Sequence, residues 1–217
     1  MKVRSAILPA LVLTLTAATT AAAQLGRQQG LIEPNVASDS AFKAIAVADP
    51  VATALKGARP ILSVVALDRI LGAQSLTKPQ RAELYKKMFV HVDLNRGSDA
   101  EFLLIPGMDM KRLAAIKVGR PWKTFEAFGT AMAKAMTAAE VTRTEQYVFI
   151  PVELNTFTDP IMDTFAGIGV GTRQWKREFA EYRPWTSMEQ FQREIAKYLR
   201  ARPTELKRLE RYVYIAK

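Results

Sequence analysis

The stretch Val92-Asp93-Leu94-Asn95-Arg96-Gly97-Ser98-Asp99-Ala100-Glu101-Phe102, followed by Ile105-Pro106-Gly107-Met108, decides how the chain is read. Ser98 is a hydroxyl residue with an acid directly after it and Glu101 three residues on. That is a capping box, in which each side chain takes up a backbone N–H that the first turn of a helix leaves unpaired. Asp99 adds negative charge where the helix dipole is positive. The spacing therefore predicts a short helix from Asp99 that buries Phe102 and Ile105 and ends at the Pro106-Gly107 turn. A second helix over 111–118 must stop ahead of Arg120-Pro121, because proline confines the residue before it to extended backbone.

The same landmarks recur on either side. Asn35, Asn95 and Asn155 stand about 60 residues apart, a spacing that signals an internal repeat. A β-branched residue and an acid lead into each, as Ile32-Glu33, Val92-Asp93 and Val152-Glu153. Ser38-Asp39, Ser98-Asp99 and Thr158-Asp159 follow, then Arg59-Pro60-Ile61, Arg120-Pro121-Trp122 and Arg183-Pro184-Trp185. Ser63, Thr124 and Ser187 are placed to cap a third helix, and a fourth is expected over 78–87, 138–146 and 203–211. The closing runs Phe89-Val90, Tyr147-Val148-Phe149-Ile150 and Tyr212-Val213-Tyr214-Ile215 read as short strands joining one unit to the next.

The expected fold class is all-α, with short strands at the junctions. It consists of three tandem helix-hairpin-helix-like repeats of about 60 residues: a degenerate first repeat over 31–90, a second over 91–150 and a third over 151–217. Trp122 and Trp185 are expected as core anchors, the three Asn residues as backbone partners in the turn before the first helix, and His91 as a satisfied linker residue.

Ahead of the repeats, Met1-Lys2-Val3-Arg4, an apolar stretch and Ala21-Ala22-Ala23 have the layout of a secretory signal peptide over 1–23. A flexible leader over 24–30 follows. This predicts a periplasmic or secreted bacterial protein with no membrane span once the signal is removed. The 217 residues carry a net charge of +10 and contain one His and no Cys. Without Cys there is no thiol nucleophile, disulfide or lipoprotein attachment site, and one His cannot build a multi-histidine metal site. No paired carboxylates stand out for acid–base work. The chain is thus expected to be non-enzymatic, with no catalytic residues, metal or cofactor, and its charge suits an anionic partner.

The second unit, with Val92-Asp93-Leu94-Asn95, Ser98-Asp99, Ile105-Pro106-Gly107-Met108, Pro121-Trp122 and Phe125-Glu126, resembles the helix-hairpin-helix module of ComEA-type DNA-uptake proteins. It is equally similar to PsbU, the extrinsic subunit of photosystem II, which Leu76-Thr77-Lys78-Pro79-Gln80 also resembles. The first relative implies sequence-independent binding of the DNA backbone, which is the leading expectation, and the second implies the alternative, docking on an envelope protein complex. DNA binding needs a Gly-apolar-Gly turn whose bare N–H groups meet a phosphate oxygen. Gly167-Ile168-Gly169 meets that need, and Thr172, Arg173, Lys176 and Arg177 stand ready to add phosphate contacts. In the second unit Asp109 replaces the second Gly, although Lys111 and Arg112 follow. The first unit has Val47-Ala48-Asp49 and no Gly in the turn.

Overall fold

Hydroxyl side chains set where seven of the described helices begin. In the computed structural model, which describes residues 30–163, 172–199 and 203–216, Ser38, Ser63, Ser98, Thr124 and Ser187 each accept a hydrogen bond from the N–H three residues on. At Thr77, Ser98 and Thr137 the bond is reciprocated by Gln80, Glu101 and Glu140, completing capping boxes. The chain is mostly helical. Its first segment holds α1 (Asp39–Ala44), α2 (Asp49–Gly57), α3 (Val64–Ala73) and α4 (Lys78–Tyr85). The second holds β1 (Val92–Asp93), α5 (Asp99–Phe102), α6 (Met110–Val118), α7 (Phe125–Met132), α8 (Ala138–Glu145) and β2 (Val148–Phe149). Next come β3 (Val152–Glu153), α9 (Asp159–Asp163), α10 (Thr172–Glu181), α11 (Met188–Ala196), α12 (Pro203–Glu210) and β4 (Val213–Tyr214). The fourth helices stop one or two residues short of the expected ends.

The strands do not join neighbouring segments, as the sequence suggested. β1 pairs in parallel with β2, β3 in parallel with β4, and Ile32 bridges Met88 in the same sense. Each segment therefore closes on its own beginning. Parallel pairing needs a long crossover, which the intervening helices supply. A tight two-residue hairpin between β2 and β3 is opposed by Pro151, whose ring fixes φ at about −65° where a type I′ turn calls for positive φ.

Two side chains fasten the middle of each segment. Asn35, Asn95 and Asn155 accept the N–H of Ile61, Trp122 and Trp185 through Oδ1 at 2.6, 2.6 and 2.7 Å. Through Nδ2 they donate to the carbonyls of the same residues at 2.9, 2.9 and 3.0 Å. These bonds reach far along the chain, beyond the local turn expected for them. The arginines of the three Arg-Pro pairs, whose peptide bonds are cis, run the other way. Arg59 donates to the carbonyls of Pro34 and Ala37, Arg120 to Leu94 and Gly97, and Arg183 to Leu154 and Phe157. Each guanidinium also lies over an aromatic ring, that of Phe42, Phe102 or Phe157. Asn155→Ala leaves the N–H and carbonyl of Trp185 without these partners, so stability is expected to fall by about 1–3 kcal/mol. A urea titration with an unchanged midpoint would rule that role out.

The apolar side chains form two clusters. One runs from Ala37 to Ile150 and takes in Phe42, Leu67, Phe89, Phe102, Phe128 and Tyr147. The other, from Phe149 to Val213, is built on Phe179, Trp185, Phe191 and Tyr212. The first two segments thus share a core. Trp122 and Trp185 are buried, and their Nε1–H groups donate to the carbonyls of Ile116 and Phe179 at 3.0 and 2.8 Å, so neither tryptophan leaves a polar atom stranded.

The end of α12 returns to the first two segments through buried polar groups. His91 is fully buried, with Nδ1 3.4 Å from Oε2 of Glu33. Among the described residues its Nε2 has no hydrogen-bond partner, so it is not the satisfied linker residue the sequence suggested. Arg211 donates to the His91 carbonyl at 2.7 Å, and Arg208, 1% exposed, holds Glu205 from Nε at 3.0 Å.

Candidate functional site

The first two hairpins each end at the start of a helix, where unpaired N–H groups can receive an anion. In the first, Ala46 takes the left-handed backbone (φ 63°) that Gly107 takes in the second (φ 82°). Ala48 caps α2 without a side-chain hydrogen bond, and Asp49 fills the first turn. In the second, Asp109 is the cap of α6: its Oδ1 accepts the N–H of Arg112 at 2.8 Å. That backbone bond, with the neighbouring positive charges of Arg112 and Lys111, holds the Asp109 carboxyl below its ordinary value. A carboxylate therefore sits where a phosphate oxygen would have to sit.

Arg112 is committed as well. Nη1 donates to the Gly107 carbonyl at 2.8 Å and to Oδ2 of Asp109 at 2.9 Å, while Nη2 pairs with Glu140. Lys111 is exposed. Of the residues expected at the third hairpin, Gly167, Ile168 and Gly169 lie outside the described residues. Thr172 and Arg173 open α10, but their side chains also lie outside the description. Lys176 is 4.0 Å from Oδ2 of Asp159. Arg177 pairs at 2.7 Å with Glu178, whose side chain is completely buried. The expected signal segment 1–23 and all but the last residue of the leader 24–30 are outside the described residues too. Among those described, no helix is long and apolar enough to cross a membrane.

Two open grooves flank the strand pairs. One, of about 490 Å³, lies against β2 and is lined by Leu62, Asp93, Arg96, Gly97, Glu101 and Phe149, together with Lys207, Glu210 and Arg211 at the end of α12. The other, of about 520 Å³, is more apolar and lies between Trp122 and β4, lined by Ile150, Pro151, Phe157, Ile161 and Tyr214 with Arg96, Lys123 and Glu153 as its charged residues.

Neither family models, nor curated proteins, nor solved structures give a match to this chain. What the hairpins and grooves can do rests on their own chemistry. A hairpin with its own carboxylate at the helix start repels a second anion, and an arginine shared between two carboxylates has little charge left to offer. Sequence reasoning pointed to the hairpins and to Asp109 as an obstacle, but not to the grooves. The recurring Arg-Pro pairs were visible, yet their role as backbone staples had no signature of its own.

Proposed function

We propose that this chain is a non-enzymatic adaptor of the bacterial envelope. It is an exported array of three tandem helix-hairpin-helix units, over 31–90, 91–150 and 151–217, that docks on a protein complex in the manner of a PsbU-like extrinsic subunit. The observation that carries this reading is the Asp109 carboxylate at the start of α6, hydrogen-bonded to the Arg112 N–H and guanidinium. That carboxylate takes up the Arg112 N–H and sets negative charge where a phosphate would have to approach the helix start. The equally spaced asparagine brackets, arginine staples and parallel strand pairs support three copies of one unit. Binding of the DNA backbone is the second reading, favoured by the net charge of +10 and by Gly167-Ile168-Gly169.

Fluorescence anisotropy with a labelled duplex separates the two. The adaptor reading expects only weak association at low salt, equal for the parent and for Gly169→Asp, which copies what the second unit has at Asp109. Neutralising Arg173, Lys176 and Arg177 should then change the slope of log affinity against log salt by less than about one unit. Binding that Gly169→Asp abolishes, with about one unit of slope lost for each neutralised phosphate contact, would transfer the function to DNA. In parallel, partners captured from the envelope fraction should survive nuclease treatment.

A further inference from the structure

Ile150 and Pro151 are all that joins β2 to β3. Each of those strands is paired inside its own segment, and the two apolar clusters meet there: Ile150 belongs to the first, Val152 to the second, and Pro151 to neither. Phe149 crosses the junction, packing in the second cluster with its ring centre 4.6 Å from that of Tyr212. Other contacts across it are polar. Arg211 donates to the His91 carbonyl at 2.7 Å, Arg96 donates to the Arg211 carbonyl at 3.4 Å, and Arg208 and Tyr212 both lie within reach of the Glu33 charge.

Closing this junction leaves polar atoms unpaired. His91 Nε2, Arg211 Nη1 and the Tyr212 hydroxyl are buried and, among the described residues, have no hydrogen-bond partner. They come from both sides, His91 from the start of the second segment and the others from the end of the third. A buried polar atom without a partner has given up its bonds to water, and separation returns them. Against that stand one aromatic contact and the bonds of Arg211, which are of the same order. Solvent already reaches one edge of the junction through the open groove lined by Arg96 and Lys207.

We infer that the third unit is a hinged arm, which swings about Pro151, lifts the end of α12 off the His91 stretch and uncovers Phe149, Arg211 and Tyr212 while its own core stays folded. Hinges are element-terminal residues that absorb a change of backbone angle. Pro151 is placed for this, since it is held in neither core and lies outside the register of both strand pairs. The Arg211 bond to the His91 carbonyl favours the docked form and the unpaired atoms favour release. The two forms therefore differ little in energy, and a ligand that touches the uncovered face selects one of them. The motion is the same whether that ligand is a protein or DNA.

The test uses the whole chain, whose lack of Cys lets two introduced thiols be labelled cleanly. Spin labels at Lys43→Cys and Gln192→Cys, exposed positions of the first and third units, report the separation of those units by pulsed dipolar spectroscopy. Labels at Lys43→Cys and Lys111→Cys, on the two units that share a core, are the control. The parent should show two distances for the first pair and one for the control. Arg211→Ala should raise the ratio of undocked to docked protein about tenfold, and Tyr212→Phe, which removes an unpaired hydroxyl, should lower it about fivefold. The Val152 and Leu154 amides, bonded to the Tyr212 and Tyr214 carbonyls, should stay protected from exchange throughout, which separates swinging from unfolding. A single distance in both the parent and Arg211→Ala would overturn the proposal. So would an undocked fraction that Tyr212→Phe leaves equal or larger, the result expected if the hydroxyl is bonded in the docked form. Loss of amide protection together with the second distance would assign that distance to unfolding and overturn it equally.

Discussion

Replacing Arg208 with alanine is expected to lower the free energy of unfolding by about 3–5 kcal/mol, the cost of stripping a buried ion pair of one partner. The Arg208 guanidinium is almost completely buried, bonds Glu205 through both Nε and Nη2, and lends its charge to Glu33. Burial pushes the Glu33 carboxyl up. The hydrogen bond and charge of His91, the charge of Arg208 and the hydrogen bond from Asn35 together outweigh it and hold the group below its ordinary value. A carboxyl depressed in the folded state contributes stability that is complete above its unfolded value, about 4.3. That contribution is lost as the pH falls through the folded value. Removing Arg208 should therefore also move acid unfolding to a higher pH, and Arg208→Met, which restores volume without charge, should not bring it back. A denaturant midpoint at pH 7 equal to that of the parent would show that the cluster contributes nothing.

Trp185→Ala should cost about as much, roughly 3–5 kcal/mol, but for a different reason: it leaves a cavity. Trp185 is 2% exposed and packs edge-on against Phe191 at 5.5 Å between ring centres. Its Nε1–H bond to the Phe179 carbonyl is lost as well. Because it belongs to the second apolar cluster, which meets the first at β2, the damage should be local. Amide exchange should accelerate across 152–214 and stay slow in the helices of the first two segments. Uniform acceleration along the chain would contradict the division into two cores.

Much of the helical framework was legible because caps are local. Ser98 and Glu101 are three residues apart, and their hydrogen bonds are the ones their spacing predicts. The tryptophan anchors were legible from large apolar residues at matching places. The buried cluster of Glu33, His91 and Arg208 was not, since its members come from three distant stretches of the chain and each alone is an ordinary polar residue. The pairing of each strand with its own segment was equally hidden, because an alternating run announces a strand but not its partner. At the second hairpin, the obstacle at Asp109 could be read from the sequence, whereas the engagement of Arg112 by Glu140 depends on α8 packing beside α6.

The parallel closure of each segment also fixes how the chain carries a load. In the second segment the Val92 N–H meets the Tyr147 carbonyl at 2.9 Å and the Leu94 N–H meets the Phe149 carbonyl at 2.8 Å. The Val152 and Leu154 N–H groups do the same with Tyr212 and Tyr214 at 2.8 and 2.9 Å. When tension runs along the polypeptide, it enters a segment at the start of its first strand and leaves at the end of its last. Since the two strands point the same way, those ends lie at opposite ends of the pair. The bonds are then strained together, in shear, and cannot be unzipped one at a time. Stretching is therefore resisted at the segment boundaries before any helix is drawn out.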